Sequence, residues 1–323
     1  MTKTWDDHGF YRLVQIMPAL YLPPEITDSI ISAVCDEEGY VEKTYPTLLA
    51  CCLVCHTWLP ASRTQLFKTI SLTSTQWRRY TLFVDRVLHS DTMNHYLASI
   101  HKLSITRPDT GTDIILQFLI EFAGRLPGLH ELILTTLRLD QRISYSKWPL
   151  LFSQFPSITI LMLSDCQFAS FADLRRMLSA LQSLEYLYLL DGIRWHIRPG
   201  ADGQEHSYRP LPACWPALQY LNIWLIGDSQ CMDTLLRWIA PSLECSPLRT
   251  LEYHARRVTS DSLQEAAATM LDSVGGSVTD LTIGMHPQFS DLFTCRLSPT
   301  DHFLRIHRFP GAVHSSRTRT SAL

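Results

Sequence analysis

Neither sign of charge dominates this chain, no run of apolar residues is long, and the short motifs that cradle phosphates or set up a nucleophile are missing. The sequence has 28 Lys and Arg against 31 Asp and Glu, a net charge of −3 over 323 residues. That leaves no basic footprint for a nucleic acid. No window holds the eighteen or so apolar residues that a membrane-spanning helix needs. The opening MTKTWDDHGFYRLVQIMPALY has no basic segment leading into a clean apolar run, so no signal peptide is expected. GxSxG, the P-loop, GxGxxG and HExxH do not occur. Nothing in the spacing of the 13 His and 9 Cys residues pairs a nucleophile with a base, so catalysis by the chain itself is not expected. The cysteines are odd in number and scattered, which fits free thiols in a reducing compartment, cytosol or nucleus.

What is present is apolar content of 46 % with a mean hydropathy of +0.01, the composition of an ordered protein with a large core. The length allows one elongated domain, or a small module followed by a larger one.

The stretch from Leu22 to Leu72 reads as that small module. Pro23 and Pro24 suit the first turn of a helix, and Glu25 and Asp28 place negative charge at the positive end of its dipole. Ile26, Ile30 and Val34, with Ile31 beside them, predict one apolar face, with Thr27, Asp28 and Ser29 outward. Asp36 to Tyr45, charged and containing Gly39, predicts a loop. A second helix is expected from near Pro46, with Leu48, Leu49, Cys52, Leu53, Cys55 and Leu59 on its apolar stripe and Pro60 ending it. A short third helix, Ala61 to Phe67, then leads into the strand-like Thr69–Leu72.

Leu22-Pro23-x-Glu25-Ile26, then Leu48, Cys51-x-x-Val54-Cys55-x-x-Trp58 and Leu66-Phe67 resemble the F-box, in particular that of fungal F-box proteins. The resemblance covers about fifty residues. It implies that Leu22, Pro23, Ile26, Ile30, Leu53 and Val54 dock on a Skp-type adaptor, which joins the receptor to a cullin–RING ubiquitin ligase, and that Trp58 pins the module's own core. His56 stands where the family usually has Arg or Lys, and the loop from Asp36 is longer than in compact members. On spacing alone, amphipathic helices capping a larger domain remain the other reading. Cys52-Leu53-Val54-Cys55-His56 also has the CxxCH spacing of haem attachment. With no export signal, and with both cysteines on a stripe expected to be buried, a packing role is preferred. No second Cys/His pair stands at zinc-ligand spacing, and no cofactor is expected.

After Thr73–Ala98, which predicts a connecting helix with Leu82, Phe83, Val87 and Leu88 buried, one pattern recurs seven times. The sets are Ile100/Leu103/Ile105, Leu129/Leu132/Leu134, Ile158/Leu161/Leu163, Leu184/Leu187/Leu189, Leu218/Leu221/Ile223, Leu248/Leu251/Tyr253 and Val278/Leu281/Ile283. Successive starts lie 29, 29, 26, 34, 30 and 30 residues apart, an internal repeat. LxxLxL is the spacing of a short strand that points alternate residues into a core, and ITILMLSDCQF, Ile158 to Phe168, extends it to LxxLxLxxCxF. This is similar to the leucine-rich repeat family. Between the strands, helices are expected from Asp113 to Leu126, after a capping arrangement of Ser170 with Asp173, around Met232, Leu235, Leu236 and Ile239, and around Leu263, Ala267, Met270 and Val274. Arg194 to Cys214, rich in Pro, Gly and polar residues, predicts an inserted loop.

The fold class expected is therefore α/β. A helical F-box-like module, 22–72, and a connecting helix, 73–98, follow an N-terminal extension, 1–21. A leucine-rich-repeat solenoid, 99–284, comes next, with parallel strands on its concave face and helices on the convex one. The tail, 285–323, is expected to be irregular, with Leu292 to Phe309 either an improvised cap or a divergent ending. Residues beside each middle leucine point to the concave face. Ile160, Met162, Tyr186, Tyr188, Tyr220, Asn222 and Trp224 should then form one patch, a candidate surface for an unknown protein substrate. The same residue types suit strands for their own sake, and that reading stays open beside the first. The expected function is the substrate-recognition subunit of an SCF-type ubiquitin ligase; the alternative is a leucine-rich interaction scaffold with no role in ubiquitination.

Overall fold

A computed structural model describes residues 22–35, 41–73, 77–106, 114–139, 148–196, 215–225, 229–244, 246–255, 260–274, 278–285 and 303–308. The chain divides into two compact units, Met1–Lys68 and Thr69–Leu323.

The first unit is helical. Helix α1 (Pro24–Cys35) opens on its proline, and the Ile26 and Thr27 amides donate to the Pro23 carbonyl at 3.0 and 3.1 Å. Its buried face is not the expected one. Thr27 and Ile31 are fully buried, while Ile26 and Ile30 face outward. The Thr27 hydroxyl donates to the Pro23 carbonyl at 3.4 Å, so its polar atom is satisfied within the helix and its methyl can pack inside. Helix α2 (Val41–Cys52) starts inside the expected loop and carries Pro46 as its sixth residue, where the missing N–H costs one i→i−4 bond. It ends at Cys52, earlier than expected. Pro60 then falls in the first turn of helix α3 (Trp58–Lys68), where a missing N–H forfeits nothing, and so opens a helix instead of ending one. Ile31, Leu48 and Cys51 form the centre, with Val34, Trp58, Ala61 and Leu66 packed against it. The Gln65 amide donates to Ser32 Oγ at 3.2 Å and ties α3 to α1.

The second unit begins at Thr69, not after Leu72. Strand β1 (Thr69–Thr73) pairs in parallel with β2 (Lys102–Thr106), so it belongs to the large sheet and not to the helical module. The sheet continues through β3 (Glu131–Thr135), β5 (Ile160–Ser164), β7 (Tyr186–Leu189), β9 (Tyr220–Leu225), β10 (Thr250–Ala255), β11 (Asp280–Met285) and β12 (Phe303–Arg308). These nine strands lie in chain order and every pair is parallel. The seven repeated sets each supply one strand, and every member is buried except the half-buried Val278. The expected irregular tail is corrected at 303–308, which adds a ninth strand beyond the last repeat.

Parallel crossovers nearly always share one hand, and strands in chain order then leave their helices on one face. Helices α5 (Ile114–Phe122), α7 (Phe171–Ala180), α8 (Ser229–Leu243) and α9 (Asp261–Val274) occupy four of these crossovers, with α6 (Trp148–Phe152) a short fifth. Neighbours pack along one another, α6 on α7 and α8 on α9. Ser170 precedes α7, but its hydroxyl donates to Asp173 Oδ2 at 2.7 Å and not to the helix backbone. The Thr73–Ala98 connection is not one helix. Helix α4 (Trp77–Phe83) runs into a π-turn at Val84–Leu88, and a 3₁₀ segment follows at Asn94–Ser99. The π-turn rotates the apolar face, so Val84, Val87 and Leu88 are buried and Leu82 is exposed.

A second, three-stranded parallel sheet was not anticipated. It joins β4 (Arg138–Leu139), β6 (Gln167–Phe168) and β8 (Arg194–Trp195), so the expected loop from Arg194 begins as a strand; the rest of that loop, from 197, lies outside the described residues. Sharp turns carry the chain from one sheet to the other. Asp165 sits at φ 49° and Gly192 at φ 80°, where a Cβ would come within 2.8 Å of the Asp165 Cα. Between them Cys166, fully buried, donates from its thiol to the Leu134 carbonyl at 3.4 Å and the Ser164 carbonyl at 3.3 Å.

Gly128, just before β3, is a close-approach position. An added Cβ there would collide with the Ala98 carbonyl oxygen and meet that of Ile100 at 3.3 Å. Gly128→Ala is therefore expected to lower stability by about 1–3 kcal/mol, the usual range for forcing atoms into packed space. The urea midpoint should fall; an unchanged midpoint would show that the Ala98 segment yields freely.

Candidate binding surfaces

Two surfaces stand out, one in each unit. On the helical unit the chain leaves α2 through a tight turn in which the Leu53 amide donates to Ala50 and the Val54 amide to Cys51, at 3.0 and 3.2 Å. That turn keeps Cys51 inside and throws the Leu53 and Val54 side chains out. Leu53 is 87 % exposed and Val54 59 %. Ile26, 48 % exposed, and Ile30 stand one turn apart on α1, and Leu49 is exposed one turn before Leu53. Pro23 is exposed and Leu22 half-buried. Five of the eight large hydrophobic side chains exposed among the described residues thus belong to this small unit. Trp58 is half-buried and packs on the unit's core.

The cysteines of this unit do not lie as expected. Cys51 is the buried one, Cys52 is half-buried, and Cys55 is exposed between α2 and α3. Burial pushes the Cys52 thiol up. The Thr57 hydroxyl, 2.9 Å from the Cys55 sulfur, holds that thiol below its ordinary value.

The second surface is the face of the large sheet opposite the buried leucines. Register places Ser104, Ile133, Met162, Tyr188, Asn222, Glu252 and Thr282 side by side along its middle row. Ile160, Tyr186 and Tyr220 share an adjacent row, and Trp224 stands beside His254 in a third. Six of the expected patch residues are half-buried; Asn222 is buried, and the strand alternation brings all seven to one face.

The patch has internal structure. The Tyr220 ring lies 5.0 Å from that of Tyr188 and 5.9 Å from that of Tyr186, and Trp224 stacks on His254 at 4.9 Å. The Asn222 amide nitrogen donates to Glu252 Oε2 at 2.7 Å and to the Tyr220 hydroxyl at 3.3 Å. Burial pushes the Tyr220 phenol up to about 12, with the Glu252 charge adding to it. The Tyr188 phenol is raised by burial first, then by Glu252 and Glu131. Both phenols are neutral at physiological pH and present π-faces and hydroxyls beside a carboxylate.

Glu252 and His254 were not among the expected patch residues. The signal was in the sequence. The alternation that selects Asn222 and Trp224 in one repeat selects Glu252 and His254 in the next, Leu248/Leu251/Tyr253. Leu49 was assigned to a buried stripe and is exposed because α2 turns its Leu48 and Cys51 face inward.

Among the described residues no helix is long and apolar enough to cross a membrane, and no group of three or more His, Cys, Asp or Glu side chains could hold a metal ion. No protein-family model matches this chain, and no curated protein matches it.

Glu252→Gln removes the negative charge that opposes phenolate formation. Tyr188 and Tyr220 should then ionise at lower pH than in the wild type, while burial still holds both above the ordinary tyrosine value. An alkaline titration followed by the tyrosinate absorbance checks this; an unshifted curve would place Glu252 out of reach of both hydroxyls.

Proposed function

We propose that this chain is the substrate-recognition subunit of an SCF-type cullin–RING ubiquitin ligase. In this reading the helices of 22–68 are an F-box that binds a Skp-type adaptor, and the sheet unit is a leucine-rich-repeat solenoid that binds a protein substrate. The observation that carries it is the concentration of exposed apolar side chains on so small a unit, at Ile26, Ile30, Leu49, Leu53 and Val54. Isolated apolar residues on a surface are ordinary, but five on so small a unit support a docking role. Four of the five are positions that the LPxE and VCxxW resemblance assigns to adaptor docking.

The solenoid reading is supported by the near-constant period of the seven sets, by the burial of nearly all their members, and by parallel strands running in chain order. Catalysis belongs to the partner enzymes, which act on a substrate held near them. The free thiols at Cys51, Cys52, Cys55, Cys166 and Cys231 suit the cytosol or nucleus, where such a ligase would work.

The test is a binding titration of the purified chain against a Skp-type adaptor, beside a variant carrying Leu53→Asp and Val54→Asp. Both positions are exposed, so the variant should keep the wild-type circular dichroism spectrum. Two carboxylates forced against an apolar partner should weaken binding roughly a hundredfold or more. Failure of the folded wild type to bind would overturn the ligase reading and leave an interaction scaffold with no role in ubiquitination.

A further inference from the structure

A general protein-docking surface needs shape and apolar area; the face over β7, β9 and β10 has something more particular. Asn222 is only 8 % exposed, and its Oδ1 is buried with no hydrogen-bond partner among the described residues. The orientation of that amide is not arbitrary. Glu252 Oε2 can only accept, so the nitrogen must face it and the oxygen must turn away. Leu221 and Ile223 on either side point into the core, which puts the Asn222 side chain on the opposite face, among Tyr188, Tyr220 and Glu252.

Three chemical demands therefore coincide. There is a buried acceptor that lacks a donor among the described residues, a carboxylate 3.9 Å from the His254 imidazole, and a pair of tyrosine rings 5.0 Å apart. Glu131 is paired with Lys102 at 2.7 Å and adds its field to that of Glu252 at Tyr188. An apolar ligand group would strip water from the carboxylate and still leave the acceptor without a donor. An anionic group would be repelled, which disfavours phosphate and acidic peptides. A cation with several N–H donors satisfies all three demands.

We propose that this patch is a subsite for the guanidinium of an arginine carried on an extended segment of the substrate protein. The proposal rests on the reading of this face as the substrate surface. A guanidinium is planar, stacks on aromatic faces, is weakly hydrated and spreads its donors so that Glu252 and Asn222 Oδ1 can be reached together. A lysine ammonium is compact and strongly hydrated and meets the same groups less well. The rings beside Asn222 give way as the side chain enters, a rotamer change common at interfaces.

The test uses the full chain and random linear peptides. Selection on the immobilised wild type should enrich sequences containing arginine. A selected peptide is then made with arginine, citrulline or lysine at that position and titrated against wild type and Glu252→Gln, a near-isosteric change at a half-buried side chain that should fold normally. Arginine→citrulline should weaken binding to the wild type roughly tenfold or more. Glu252→Gln should weaken the arginine peptide similarly and leave the citrulline peptide nearly unchanged, since the two changes remove the same interaction. Arginine peptides indifferent to Glu252→Gln, or lysine binding as well as arginine, would overturn the subsite. So would selected peptides without arginine; if Tyr188→Ala abolishes their binding, the face survives as a substrate surface. No enrichment on the folded wild type would overturn the subsite and the substrate-surface reading together.

Discussion

The sheet unit depends on one backbone arrangement repeated strand after strand. In the first six sets the carbonyl two residues ahead of the middle leucine accepts two amides from the next strand: His101 from His130 and Glu131, His130 from Thr159 and Ile160, Thr159 from Glu185 and Tyr186. The series continues through Glu185, Gln219 and Arg249, all at 2.8–3.0 Å. Each shared carbonyl pins the start of a strand to the start of its neighbour. A slip of one residue would break the pair and turn every buried leucine to the other face. Register is thereby inherited from β2 to β11, and positions far apart in sequence become columns. Met162, Tyr188, Asn222 and Glu252 are neighbours for this reason alone.

The helical unit solves a different problem. Its three helices are short and enclose a small core, Ile31, Leu48 and Cys51 with their half-buried neighbours. A unit of this size cannot bury every apolar side chain it carries. Its helices are apolar on more than one side, and two buried hydroxyl residues, Thr27 and Ser62, take interior places that apolar residues could have held. What remains outside is Ile26, Ile30, Leu49, Leu53 and Val54. An outer face this apolar lowers solubility unless something covers it, which is the physical case for a partner.

The sequence was legible where one period decides the outcome. A two-residue alternation that recurs every thirty residues or so names the buried positions, and only Val278, in the last of the seven sets, is left half-buried. Helix phase in the first unit was not legible, because Thr27 counts as polar by composition but satisfies its hydroxyl on its own backbone. The prolines misled in the same region. Pro46, expected at a helix start, lies inside α2, and Pro60, expected to end a helix, lies in the first turn of α3. The two-residue strands Arg138–Leu139, Gln167–Phe168 and Arg194–Trp195 are too short to carry any periodicity, and only the left-handed turns before them fix their place. On the sheet face, the aromatic residues were found by alternation and the carboxylate was missed because the rule stopped one repeat early.

That carboxylate changes the character of the patch. A row of tyrosines alone would favour many apolar or aromatic partners. Glu252 makes such partners unfavourable, since each would strip water from a charge and return nothing. Asn222 extends the restriction inward, because an acceptor left without a donor is destabilising by about 1–3 kcal/mol wherever water is kept out. Asn222 breaks the pattern of its strand: Tyr220 and Trp224 on its own face are half-buried and aromatic, and Leu221 and Ile223 beside it are buried and apolar. That break lies in the centre of a face that the register makes continuous, and its unpaired oxygen is the feature the proposed arginine subsite would use.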